Sequence, residues 1–246
     1  SIDKIRSLGF FDNVKSEIIE GSDPNLKVIN ITVDEQPTGE ISMGAGYGTS
    51  GSTIGAGITE KNFLGKGINL NTNFELSEES LKGQFVFSKP YFNYTDNTLR
   101  TSIKALTTDN LDDYGYKQSE TGFSIGTTYE QYENLFFSPE LSLTLEDLTT
   151  NNSASSNLKK QQGQYEDFYF NYGLNYDLRD SVYNPTTGSK TSFFQTIPLV
   201  SDNREIANTF VLTKYKTLND SSGMVGRVSL YLKGVHSFGD DDVRIS

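Results

Sequence analysis

From Pro37 onward the chain repeats one hydrophobic period of two residues, and few folds can accommodate that. In the clearest stretch Ile68, Leu70, Thr72, Phe74 and Leu76 fall on one face and Asn69, Asn71, Asn73 and Glu75 on the other. Successive side chains of an extended chain point to opposite faces, so this pattern is a strand with one apolar and one polar side. It recurs with Leu81, Phe85 and Phe87; with Leu99, Ile103 and Ala105; with Phe123, Ile125 and Tyr129; with Leu141, Leu143 and Leu145; and from Phe168 to Tyr176. Segments near 190–197 and 206–218 alternate less cleanly, and Val228, Leu230 and Leu232 restore the pattern. With a glycine-rich pair after Pro37, the count is about eleven strands.

Alternation alone allows a soluble sandwich or a barrel. Only 35% of residues are hydrophobic, yet there are 14 Tyr, 16 Phe and 22 Gly, which suits many strands better than helices. No apolar run approaches the roughly 20 residues of a spanning helix, but a spanning strand needs only about 9 to 11, half of them facing a wet lumen. The segments are long against the usual 5 to 6 residues of strands, and their second face carries Asn and charge. Connections read as a short set (62–67, 90–97, 184–188, 219–223) and a set with long polar members (109–118, 148–164), the layout expected of an outer-membrane barrel. Tyr91, Phe92, Tyr94, Tyr132, Phe136, Phe137 and Tyr183 sit near segment ends, where an interfacial girdle belongs. The net charge of -11 disfavours nucleic acid as a partner, and the absence of cysteine excludes disulfides and thiolate metal sites.

The first residues differ. Ile2, Ile5, Leu8 and Phe11 fall at three-residue steps before and after Gly9, which predicts the last turns of a helix over 2–11. Strands are predicted over 14–19 and 26–33 around a turn at 21–24. A helix and a hairpin are only part of a small α/β domain, so the chain is expected to begin inside one. Next comes the glycine-rich hairpin, whose first strand is Gly39, Glu40, Ile41, Ser42, Met43, Gly44, Ala45, Gly46, Tyr47 and Gly48. Glycine has no side chain to pack, so weak pairing is expected here.

Several motifs, in order, resemble outer-membrane protein assembly factors of the BamA type. LGFFDNV (8–14) and VDEQPTG (33–39) resemble the end of the last polypeptide-transport-associated (POTRA) domain entering the barrel. NFLGKG, with Asn62, Phe63, Leu64, Gly65 and Gly67, resembles the family's turn after the second strand, and KPYF, with Pro90, Tyr91 and Phe92, the turn after the fourth. DLRDSVYNPTTGSK (177–190), with Arg179, Asp180, Pro185, Thr186 and Gly188, resembles the family's Arg/Asp then Pro-Thr-x-Gly turn and is the most specific of the set. The family's Val-Arg-Gly-Phe/Tyr loop motif does not occur, since Arg244 precedes Ile245.

The resemblance implies a mainly β fold: the C-terminal part of an α/β POTRA domain over 1–36, then about eleven of the sixteen strands of a transmembrane antiparallel β-barrel over 37–246, truncated before that loop motif. It implies a Gram-negative outer-membrane insertase with its POTRA part in the periplasm. The edge of the first barrel strand, 39–48, would template nascent barrel proteins at a lateral gate. Implied partners are unfolded outer-membrane proteins, accessory assembly lipoproteins, periplasmic chaperones and outer-membrane lipid. Alternatives are a TamA-like translocation module, a two-partner secretion pore and, in another class, a passive porin.

No enzymatic chemistry is expected, and no cofactor or metal. Gly46-Tyr-Gly48-Thr-Ser-Gly51 matches G-x-G-x-x-G, but a strand rather than a helix follows, so no helix N-terminus faces a phosphate. His236 is the only histidine, which excludes multi-His metal sites and leaves no nucleophile motif beside it. Asp240 to Asp242 lack the spaced ligands of a calcium loop and read as a solvated loop. Glu75, Arg100, Lys104, Glu146, Arg227 and Lys233 read equally well as a lumenal charge network or as a merely wet face.

Overall fold

The computed structural model describes residues 2–23, 25–48, 51–182, 184–201, 204–219 and 223–237. The chain opens with helix α1 (Ile2–Ser7) and a two-stranded antiparallel sheet, β1 (Phe11–Glu20) with β2 (Lys27–Glu35). The helix is shorter than its periodicity predicts because Gly9 adopts φ +69° and ends it, after which Phe11 is already strand. Val14 is buried, and the Arg6 guanidinium donates to the Val14 carbonyl at 3.2 Å; β2 is exposed along its whole length.

The alternating segments form one antiparallel meander of eleven strands, each beside its sequence neighbours. These are β3 (Gly39–Gly48), β4 (Gly51–Phe63), β5 (Ile68–Ser77), β6 (Ser80–Lys89), β7 (Thr98–Asn110), β8 (Tyr116–Tyr132), β9 (Leu135–Thr150), β10 (Gly163–Asp177), β11 (Gly188–Val200), β12 (Glu205–Asn219) and β13 (Met224–Ser237). Among the described residues β3 and β13 are the two edges of the sheet. Among the described residues no helix is long and apolar enough to cross a membrane.

Register turns each strand's alternation into two continuous faces. Ile41 pairs with Ile58, and the row continues through Thr72, Phe85, Ile103, Phe123 and Leu143 to Phe168. One residue along, Ser42 pairs with Gly57, and that row runs through Asn73, Gln84, Lys104, Gly122 and Thr144 to Asp167. The apolar row is the exposed one: Ile41, Ile103 and Phe123 keep 74%, 49% and 45% of their surface open. On the polar side Asp167 is completely buried, and Glu146, Ser124, Ser192 and Thr213 are buried as well. This reverses a soluble sandwich, whose apolar face packs against a second sheet.

The polar face is knitted by side chains. Ser102 and Ser124 hydroxyls meet at 2.8 Å, Ser124 donates to Glu140 at 3.0 Å, and Asn171 donates to Ser142 at 2.8 Å. Lys104 lays its stem over Gly122 while its ammonium reaches Glu120 at 2.5 Å. Phe194 turns inward over Gly173, an aromatic covering a cross-strand glycine, which is why β11 alternates poorly in sequence.

Connection length does not sort the two rims as the sequence pattern predicts. On the rim where β2 leads into β3, the near rim, the connections include 133–134 and 178–187; on the far rim they include 78–79, 111–115 and 151–162. Half of the polar stretch 109–118 is strand, since β7 and β8 run on through wet residues clasped by Lys117 and Asp109 at 2.7 Å. The described aromatics of the expected girdle all cluster at the near rim, and Tyr183 lies outside the described residues.

The far-rim loops are packed together. Asn151 joins them: its backbone N–H reaches the Gly115 carbonyl at 2.8 Å, its side chain donates to Leu111 O at 2.8 Å and accepts from Ser153 N at 2.8 Å, and buried Ala154 precedes the capped helix α2 (Ser156–Lys160). Gly115 has φ +75°, and a Cβ there would lie 2.4 Å from the Ala154 nitrogen. Gly115→Ala is therefore expected to lower stability by about 1–3 kcal/mol. A shifted denaturant midpoint of the detergent-purified protein measures this; Gly83→Ala, where the space is open, is the matched control.

Candidate functional site

Within the first hairpin of the large sheet, strand β3 is bare of side-chain ties. β3 and β4 pair residue for residue from Gly39 with Glu60 to Gly48 with Gly51, without a register shift. The glycines thus leave the ladder intact. What is lacking is side-chain contact. Among the described residues no β3 side chain makes a hydrogen bond, and nothing lies within 4 Å of where a Cβ at Gly44, Gly46 or Gly48 would be. Met43 and Tyr47 point outward with 84% and 87% of their surface exposed, alongside Ile41 and Ala45. Glu40 and Ser42 share the inner face with the glycines.

Inside the hairpin is a cavity of about 750 Å3, floored by Gly44, Gly46, Gly55 and Gly57 and walled by Asn73 and the Lys82–Glu75 ion pair at 3.0 Å. On its outer side β3 has no neighbour among the described residues, so alternate backbone N–H and C=O groups face away from the sheet.

The motif turns lie together on the near rim, each with a distinct lock. In 62–67, Leu64, Gly65 and Gly67 all have positive φ, and the Asn62 side chain accepts from Gly67 N at 2.7 Å. Phe63 ends β4, and the Phe10 ring lies 3.8 Å from the Cβ position of Gly67. After Pro90, Tyr91 takes φ +53°, Phe92 N donates to Asn97 O at 2.8 Å, and the Lys89 ammonium sits 5.8 Å from the centre of the Phe92 ring.

The 178–187 turn is built around two charges. Arg179 grips Asp177 bidentately, Nε to Oδ1 at 2.8 Å and Nη2 to Oδ2 at 2.6 Å, and its Nη1 donates to Val182 O at 3.3 Å. The Asp180 carboxylate accepts from the Thr186 hydroxyl and from Thr186 N, Thr187 N and Ser181 N, folding Pro185 into the loop. Those donors, the Thr186 hydroxyl foremost, hold the Asp180 pKa at about 2. At Gly188, φ is +94° and a Cβ would strike Leu178 O at 2.1 Å, so only glycine fits.

Two carboxylates were not legible as site residues. Glu60 accepts from the Thr38 hydroxyl and from Asn62 N, joining the root of β3 to the near-rim turn, and Glu78 accepts from Ser52 N at 3.0 Å at the other end of the hairpin. Neither belongs to a motif. The six charges of the polar face stand in separate settings: Glu75 with Lys82, Lys104 with Glu120, Glu146 with Gln118 at 3.1 Å, and Arg227 over the Tyr215 ring at 5.9 Å. Arg100 lines a cavity with Glu140, and Lys233 stands opposite Thr209 on β13.

Gly46 and Gly48 end one strand and Gly51 opens the next, so the G-x-G-x-x-G match joins two strands; its Thr49 and Ser50 lie outside the described residues. His236 is on β13 opposite Ile206. Asp240 to Asp242 and Arg244 also lie outside the described residues, and among those described no group of three or more His, Asp or Glu could hold a metal ion.

The profile of the Omp85 superfamily domain matches residues 62–246. The crystal structure of BamA from Haemophilus ducreyi lacking POTRA domains 1–3 is similar at a TM-score of 0.78 and 26% identity, covering 98% of this chain and 49% of that one. CdiB from Acinetobacter baumannii is similar at a TM-score of 0.55 and 11% identity, covering 96% of this chain and 46% of that one, a likeness of fold alone. The chain spans about half the length of both.

The Asp180 lock makes a pH prediction. Its pKa is lowered from 3.8 to about 2 on folding, so its stabilisation is complete above the unfolded value and is lost as pH falls through the folded one. The denaturant midpoint of the wild type is expected to decline between about pH 4 and pH 2 more steeply than that of Asp180→Asn. Parallel curves for the two proteins in that window would contradict the assignment.

Proposed function

We propose, from the premise that the chain belongs to the Omp85 superfamily, that it is part of an outer-membrane factor that assembles and inserts β-barrel proteins, using residues 39–48 as the working edge. In this reading residues 37–246 are the N-terminal portion of a transmembrane barrel, with the exposed apolar face in lipid and the hydrogen-bonded polar face toward the lumen. Residues 1–36 are the end of a POTRA domain on the periplasmic side of a Gram-negative outer membrane. The likeness to BamA supports both parts, because coverage of 98% of this chain leaves too few residues unmatched to omit the first segment. The near-rim turns then face the periplasm, and the described aromatics beside them mark one membrane interface.

The observation that carries the reading is the make-up of β3: an intact ladder to β4 and a glycine floor that keeps side chains out of the way. Within lipid each unsatisfied backbone group costs several kcal/mol, so an incoming chain gains strongly by pairing with such an edge. Main-chain bonds give affinity with little sequence demand, which suits unfolded outer-membrane proteins as substrates. Accessory lipoproteins and periplasmic chaperones deliver them, and surrounding lipid receives them. The process needs no covalent step and no cofactor, so the chain is not an enzyme. A passive porin would give the bare edge hairpin no role, and a likeness to CdiB in fold alone does not favour a secretion pore.

Cysteines at Ser42 or Gly44 of the full-length protein are expected to form disulfide adducts with a stalled barrel substrate, while a cysteine at Ser102, on inner strand β7, is not. Absence of adducts at both edge positions would sink the proposal.

A further inference from the structure

The link into β3 is tied on both sides. Gln36 donates its backbone N–H to Phe10 O and its side chain to Gly9 O, each at 3.0 Å, and Lys61 N reaches Thr38 O at 3.3 Å. One side chain then joins this link to the sheet: Glu60, whose Oε1 accepts from the Thr38 hydroxyl and, at 2.6 Å, from Asn62 N, and whose Oε2 lies 3.0 Å from where a Gly39 Cβ would be. Beyond Gly39 the edge strand has backbone bonds only. Inner strand pairs differ: β7 and β8 share the Ser102–Ser124 contact and the Lys104–Glu120 pair, and β9 and β10 share Asn171 with Ser142.

We infer that Glu60 is a positioning residue for strand templating, tying the root of β3 to the near-rim turn so that the edge is presented in a fixed register. The physical basis is restraint at the root. A carboxylate taking two donors gives charge-assisted bonds at the root, whereas the opposite end of β3 is already held where the hairpin closes, with Gly48 paired to Gly51 and Glu78 accepting from Ser52 N. With the root held, an incoming strand meets the same first backbone pair each time; with it loose, the strand can slip by two residues without exchanging faces. This inference rests on the proposed insertase function.

The test uses the full-length protein in detergent and in liposomes. For Glu60→Ala, backbone hydrogen exchange over residues 38–43 is expected to rise about tenfold with 141–147 unchanged, insertion of a barrel substrate to slow several-fold, and disulfide trapping from Gly44→Cys to spread from one substrate position to positions two residues away. Glu60→Gln, which keeps an acceptor oxygen, is expected to restore the single position. A slower Glu60→Ala with trapping still at one position, or trapping spread equally in Glu60→Gln, overturns the inference, as does faster exchange with unchanged insertion and register. Failure of the wild type to insert any barrel substrate overturns the insertase reading instead, and the positioning role with it.

Discussion

Everything in this structure depends on the satisfaction of main-chain hydrogen-bonding groups. Each strand of the meander can satisfy one row of N–H and C=O groups on each side, and only a neighbouring strand fills a row completely. From β4 to β12 both rows are filled, whereas β3 and β13 each have one filled row among the described residues. The chemistry proposed for this protein is an extension of the bond that builds it, made to a strand from another chain. This is why no catalytic side chain is required, and why the informative residues at β3 are those lacking side chains.

The distribution of polarity sets where that bond is strong. With Ile103 and Phe123 outside and Asp167 and Glu146 inside, the sheet presents apolar surface outward and a hydrogen-bonded polar network inward. In water the outer face would drive aggregation; in lipid it is the natural surface, and an unpaired edge beside it has no solvent to fall back on. Side-chain ties follow the same division, dense across β7 to β10 and sparse at the first hairpin. The structure is stiff where it holds its shape and bare where it is proposed to work.

Much of this was legible in the sequence, for identifiable reasons. The two-residue period of Ile68 to Leu76 translated directly into β5, because a slip of one residue would have turned every apolar side chain to the wrong face. The Arg179, Asp180 and Gly188 turn was legible because a bidentate pair, a multiply donated carboxylate and a position closed to any Cβ each demand one residue type. The ends of β7 and β8 were not, since strands that continue with both faces wet lose the hydrophobic period that marks them. Phe194 disguised β11 by covering Gly173 from the polar side. Glu60 was invisible because its role depends on Thr38, which only the register of β3 on β4 brings near. In the first hairpin the glycines remove side-chain contacts and leave the backbone ladder whole.

The account's central claim is that an incoming strand is held by the outer backbone edge of residues 39–48. A cryo-electron microscopy structure of the full-length protein stalled with a half-inserted barrel substrate tests it most directly. The account predicts a substrate strand hydrogen-bonded along β3, with the β3–β4 ladder unchanged from Gly39 to Gly48. A substrate threaded through the lumen, with β3 bonded along its outer edge to another strand of its own barrel, would contradict it.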